Sequence, residues 1–254
     1  MHSDLVAILT GLLTSGVIML FVENQHIATN VYAKYESIMI PFMHKLTNYF
    51  KFAFSSNVAL TVTDFNNKSI MNYKKRLDLF RKYAHMTIMD GRDYPINFFT
   101  AKELDELCGE INNVWYFGSR SIQSIEGAYT ANEYSYDKDV RNNLKEVLQD
   151  EQLCQEPLSA KLINTVSSRF FNESYMPIKH IPQKYEIWEE KCQDFRELAV
   201  ASVGMCVLSI TLLLLWQTVP DCLMVVLTMI SLLLFCGTLY YLIDVDKYSR
   251  KIFK

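Results

Sequence analysis

Residues 212–227 read LLLLWQTVPDCLMVVL, two apolar runs separated by a few polar residues around Val219, Pro220 and Asp221. Such a stretch is either one buried core segment with a kink or a hairpin that enters a membrane and returns. The flanks decide between them. Leu198–Trp216 and Cys222–Ile243 are 19 and 22 residues long, and Leu5–Val22, near the start of the chain, is 18. None of the three contains Asp, Glu, Lys, Arg or His. A helix rises 1.5 Å per residue, so about 20 residues cross roughly 30 Å of hydrocarbon. Burying three such helices on all sides inside a soluble core needs far more protein than residues 23–197 supply. The sequence therefore predicts three membrane spans, the last two forming a hairpin whose external link is only Gln217–Asp221.

The first segment is read as an uncleaved anchor. A secretory leader has a positive n-region, an apolar stretch of about 7–15 residues and a small-x-small cleavage site. Here only His2 precedes the run, Asp4 adds negative charge, and Glu23-Asn24-Gln25-His26 follows it. Orientation comes from lysine and arginine near the spans. None precedes the first span and none lies in the Gln217–Asp221 link. Lys34 and Lys45 follow the first span, Lys179, Lys184, Lys191 and Arg196 precede the second, and Lys247, Arg250, Lys251 and Lys254 follow the third. All point one way. The expectation is a multi-pass protein of a bacterial inner membrane, N-terminus outside, with residues 23–197 and the basic tail 244–254 in the cytoplasm.

The 23–197 region holds 21 of the 25 Lys+Arg and 24 of the 28 Asp+Glu, which leaves it near neutral and gives no nucleic-acid signature. Of the six cysteines, Cys108, Cys154 and Cys192 fall in this region and Cys206, Cys222 and Cys236 in or beside spans. They form no C-x-x-C pair and no disulfide framework. The sequons at Asn67 and Asn172 are inert in a cytosolic domain.

Helical periodicity dominates the region. From Asn24 to Phe54 a stripe runs through Ile27, Val31, Tyr35, Ile38, Phe42, Leu46, Tyr49 and Ala53, predicting a helix that continues out of the first span and kinks near Pro41. Asn57–Asn67, with ALTVTDF, reads as a connector, a short strand being the alternative. Helices follow over Lys68–Met89, from a capping box at Thr100-Ala101-Lys102-Glu103 onward, over Asp137–Glu151 and over Leu158–Tyr175. The two prolines of YMPIKHIP (175–182) predict extended backbone, and Gln183–Arg196 a helix running straight into the second span. The fold class expected is an all-α integral membrane protein: an N-terminal anchor (1–22), a cytosolic helical bundle (23–197), a hairpin (198–243) and the tail.

Within the spans, Ala7, Gly11 and Ser15 share one face, a spacing that lets helix backbones approach closely. They predict packing against a second copy or against the chain's own hairpin. Nine span hydroxyls, among them Thr10, Thr14, Ser202, Ser209 and Ser231, either line a pore or bond back to their own helices. Trp216 is placed as an interfacial anchor. Lys74, Lys75, Arg76, Arg81 and Lys82 form the densest basic cluster, suited to an anionic lipid or an acidic partner unless it is simply a solvated face. His85, Asp90, Arg92 and Asp93 gather around Gly91 but match no catalytic or metal spacing, and no phosphate loop or nucleophile elbow is present. No cofactor, metal or enzymatic activity is expected. In layout the chain resembles small membrane effectors of bacterial defence, including antiviral defence, and toxin systems. That layout implies a cytosolic part that receives a signal or partner protein and spans that oligomerise in the bilayer and permeabilise it. A non-conducting scaffold that anchors a cytosolic partner is the competing expectation.

Overall fold

The computed structural model describes residues 2–62, 99–109, 111–112, 129–131, 145, 160–215 and 220–254. The described residues are overwhelmingly helical. Helix α1 runs from His2 to Ala59, followed by the short strand β1 (Leu60–Val62), helix α2 (101–109), strand β2 (Tyr129–Ala131) and α3 (Ala160–Arg169). A π-helical segment (Phe170–Tyr175) extends α3, and α4 (His180–Leu215) and α5 (Asp221–Ile252) complete the order. Each of α1, α4 and α5 contains a stretch long and apolar enough to cross a membrane.

The chain divides into two compact units, Met1–Tyr35 with Gln183–Lys254, and Glu36–Pro182. The first is a bundle of α1, α4 and α5. Its contacts fix the directions of the helices. Leu198 meets Gly237, Lys191 pairs with Asp244, and the Lys184 ammonium donates to the Lys251 carbonyl at 3.0 Å. As the α4 number falls, the α5 number rises by the same amount, so these two helices are antiparallel. Gly16 meets Phe235 and Lys34 sits 4.6 Å from the Phe253 ring centroid, so α1 and α5 run parallel. The two apolar runs of the opening stretch thus lie on antiparallel helices and not on one kinked helix. Pro220, with φ −57° and ψ 131°, precedes α5, and its carbonyl accepts from the Leu223 N–H at 3.0 Å.

The unit boundaries lie well beyond the edges of the apolar windows. Helices leaving the first window at Val22 keep packing for 13 more residues, about 20 Å of helix. Tyr35 stacks on Tyr185 there with centroids 3.9 Å apart, and the Trp188 ring packs on Tyr185 at 5.6 Å.

The second unit collects an aromatic core. On α1, Met39 and Met43 are buried beside Phe42, Leu46 and Tyr49 of the expected stripe, whose Ile27 and Ile38 are only half-buried and whose Ala53 side chain lies outside the described residues. The helix passes through Pro41 without ending. Phe170 lies 4.9 Å from Tyr49 and 5.9 Å from Phe42, and the Tyr49 hydroxyl shares a 2.9 Å hydrogen bond with the Ser167 hydroxyl. The capping box forms as read: the Glu103 carboxylate accepts from the Thr100 N–H at 3.0 Å, and the Thr100 hydroxyl accepts from the Glu103 N–H at 3.2 Å. It starts a helix that buries Leu104, Leu107 and Cys108, with Ile111 buried just beyond.

Two local expectations need correction. Leu60–Val62 is a strand and not a connector: it pairs antiparallel with Tyr129–Ala131, Thr61 opposite Thr130. Its partner is 69 positions away, so local sequence could not show the pairing. The YMPIKHIP segment is not extended. The Ile178 N–H bonds the Tyr175 carbonyl and the Ile181 N–H bonds that of Ile178, at 2.9 and 2.8 Å, and Pro182 falls in the first turn of α4. A helix's first turn needs no donor from proline, so Pro182 starts the helix where an extended segment was expected. The helices read over 68–89 and 137–151, and the helix expected from Thr100 onward beyond residue 112, lie outside the described residues, apart from a helical Lys145.

Candidate functional site: the span bundle and its outer face

The first unit buries several hydroxyls in its interior and turns large apolar side chains outward. Thr10, Ser202, Ser209, Ser231 and Thr238 are at most 2 % exposed, whereas Leu12, Met19, Val200, Leu214 and Leu233 are 65–80 % exposed. Water would favour the reverse arrangement, because so large an apolar surface promotes aggregation. A hydrocarbon solvent reverses the preference: hydroxyls must find partners inside, and apolar side chains face the lipid.

Most span hydroxyls satisfy themselves. Thr14 donates to the Thr10 carbonyl, Ser15 to Leu12, Ser209 to Met205, Thr211 to Val207, Thr228 to Met224 and Thr238 to Phe235, all at 2.8–2.9 Å. Bonds of this kind to the preceding turn occupy the hydroxyl hydrogen without needing water. Among the described residues the buried Ser202 and Ser231 hydroxyls have no hydrogen-bond partner, and neither do the two amide atoms of Asn24. Asn24 was not singled out from sequence. Its position is legible in retrospect, since Thr10, Val17, Asn24 and Val31 follow a seven-residue repeat and all four are buried.

Ala7, Gly11 and Ser15 point away from the chain's own helices. All three are exposed, and a Cβ built on Gly11 meets nothing within 4 Å. The contact inside the chain uses Gly16 instead, where a Cβ would come within 2.8 Å of the Phe235 ring. Beside this face, α1 and α4 enclose a groove of about 270 Å³ lined by Val17, Ile18, Phe21, Ala199, Val200 and Val203.

Beyond the apolar windows the bundle is held by polar ties. Lys191 binds Asp244, which raises the lysine pKa, and Arg250 pairs with Asp246 at 2.6 Å on α5. Arg250 thus pairs along its own helix, and Lys251 is tied to α4 only through its backbone carbonyl. In the second unit, Tyr175 donates to Asp105 at 2.7 Å and Lys179 reaches the same oxygen at 3.2 Å. The π-helical turn adds one residue before Tyr175, and the Met176 N–H bonds the Phe171 carbonyl at 2.9 Å. The tyrosine hydroxyl, ahead of the lysine, holds the Asp105 carboxyl below the usual range. Burial raises the Cys108 thiol well above its ordinary value and pushes Cys192 up to about 12, so both stay protonated at neutral pH. Among the described residues no group of His, Cys, Asp and Glu is placed to hold a metal ion.

No protein-family model, curated protein or solved structure matches this chain. What it does must be inferred from the bundle itself. Trp216, the cluster Lys74, Lys75, Arg76, Arg81 and Lys82, and the group His85, Asp90, Arg92 and Asp93 lie outside the described residues. His180 is exposed at the first position of α4.

Proposed function

We propose that this protein is a membrane-embedded interaction and effector protein. Its span bundle associates with further copies through the Ala7–Gly11–Ser15 face, and residues 23–197 receive a cytosolic signal or partner. The orientation follows the lysine and arginine placement, N-terminus outside. The observation that carries the proposal is the exposure of the small-residue face. In hydrocarbon, helices associate through close backbone approach, and this face leaves that approach open to another molecule. α1 and α4 continue without interruption beyond their apolar windows. Permeabilisation by the assembled spans, as in the defence and toxin effectors of similar layout, is the activity proposed.

The test uses two differently tagged copies expressed together, scored by co-purification from mild detergent and by a membrane-potential dye. Gly11→Ile is expected to abolish both co-purification and depolarisation while leaving the monomer folded. Undiminished co-purification would refute the face, and intact potential at high expression of the wild type would refute permeabilisation. A non-conducting scaffold is the second reading. It is favoured by the six span hydroxyls that bond back to their own helices, which leave few polar groups for a water column.

A further inference from the structure

We infer that the groove between α1 and α4 is a phospholipid site, taking an acyl chain along its length and the headgroup phosphate at Arg196. The inference rests on the membrane reading. All six lining residues lie within the charge-free windows, and no polar side chain is among them. A concave surface at that depth must be filled by something apolar. On α4 the lining residues Ala199, Val200 and Val203 stand three, four and seven positions after Arg196, so all four occupy one stripe of the helix. Arg196 is exposed two positions outside the apolar window, at the level where headgroups lie, and among the described residues no carboxylate forms an ion pair with it. The neighbouring Glu197 accepts a hydrogen bond from Gln193 at 3.0 Å. A guanidinium on a long apolar stem keeps its charge at the interface and binds phosphate through two parallel N–H groups.

The α1 side of the same end carries the unpartnered Asn24 amide, three and seven positions beyond Phe21 and Val17. That amide is fully buried and is not among the residues that line the groove, so the site is argued from the apolar lining and Arg196 alone. A second copy is the poorer fit for this groove. Apart from Ala199, valine, isoleucine and phenylalanine line it, whereas close helix contact needs small side chains.

The full chain, purified in mild detergent and mixed with phosphatidylglycerol, is examined by native mass spectrometry. The wild type is expected to retain one lipid per chain. Arg196→Gln removes the charged donors and is expected to lower occupancy roughly tenfold, in line with one charge-assisted hydrogen bond. Val200→Trp fills the groove from a lipid-facing position and is expected to lower it similarly, while Arg250→Gln leaves it unchanged. Both test positions are exposed, so folding is not at stake. Wild-type retention in Arg196→Gln and Val200→Trp overturns the site. Unchanged lipid occupancy with lost co-purification in Val200→Trp overturns it too, and assigns the groove to a second copy. A wild-type chain that stays in the aqueous supernatant without detergent overturns the membrane reading itself.

Discussion

Four glycines in the spans allow one substitution to be compared in four surroundings. Glycine to alanine in a helix interior gains about 1 kcal/mol of helix propensity wherever it is made. What differs is the space for the new methyl. At Gly11 and Gly204 a Cβ meets nothing within 4 Å, at Gly237 it meets Leu198 Cδ2 at 3.1 Å, and at Gly16 it meets Phe235 Cε2 at 2.8 Å. A 3.1 Å contact needs the leucine to yield slightly. A 2.8 Å contact forces the Phe235 ring to move, and overpacking of this kind costs about 1–3 kcal/mol. Gly11→Ala and Gly204→Ala are thus expected to stabilise the monomer by up to about 1 kcal/mol. Gly237→Ala should be close to neutral, and Gly16→Ala should lie about 1–3 kcal/mol below Gly11→Ala. The assay is reversible unfolding in mixed micelles of sodium dodecyl sulfate and a mild detergent, followed by circular dichroism at a dilution that keeps the chain monomeric. If Gly16→Ala fell within 0.5 kcal/mol of Gly11→Ala, the α1–α5 contact would be wrong. If Gly11→Ala were the most damaging of the four, the small-residue face would be an internal packing surface.

The Tyr49–Ser167 bond is buried, so Tyr49→Phe should cost about 0.5–1.5 kcal/mol. A double-mutant cycle with Ser167→Ala that shows no coupling would deny the bond. Asp105 titrates below its unfolded value near 3.9, so its contribution is present above that pH and is lost as pH falls through the folded value. Tyr175→Phe removes the largest cause. The stability difference from wild type should be full at pH 7, stay under about 1 kcal/mol because the Asp105 carboxylate is exposed, and shrink below about pH 4. A difference that grew with acid would contradict the assignment. Lys191 has the opposite sign. Its raised value means that the pairing contributes below its unfolded value near 10.4 and is lost as pH rises through the folded one. Asp244→Asn should therefore destabilise equally at pH 7 and pH 9, with the difference closing only above about pH 10. Thermal unfolding across that range checks it.

The three helices long and apolar enough to cross a membrane, and the antiparallel α4–α5 pair, were legible because a charge-free run of about 20 residues has few other solutions. The Thr100–Glu103 box and the α1 stripe through Val31, Tyr35, Phe42, Leu46 and Tyr49 were legible for a similar reason: caps and periodicity are local. Other features depend on residues far apart in the chain. Nothing near Leu60 announces that it pairs with Ala131. Ala7, Gly11 and Ser15 show a close-packing face in sequence, but the choice between the chain's own hairpin and another molecule depends on how α1 is rotated. That rotation is set by Gly16 against Phe235 and by Tyr35 against Tyr185. The groove beside Arg196 and the unpartnered amide of Asn24 likewise exist only once α1 and α4 are packed. Composition and period therefore determined which segments seek hydrocarbon and which faces are apolar. Tertiary structure decided which face remains free, because burial belongs to pairs of helices and not to either one alone.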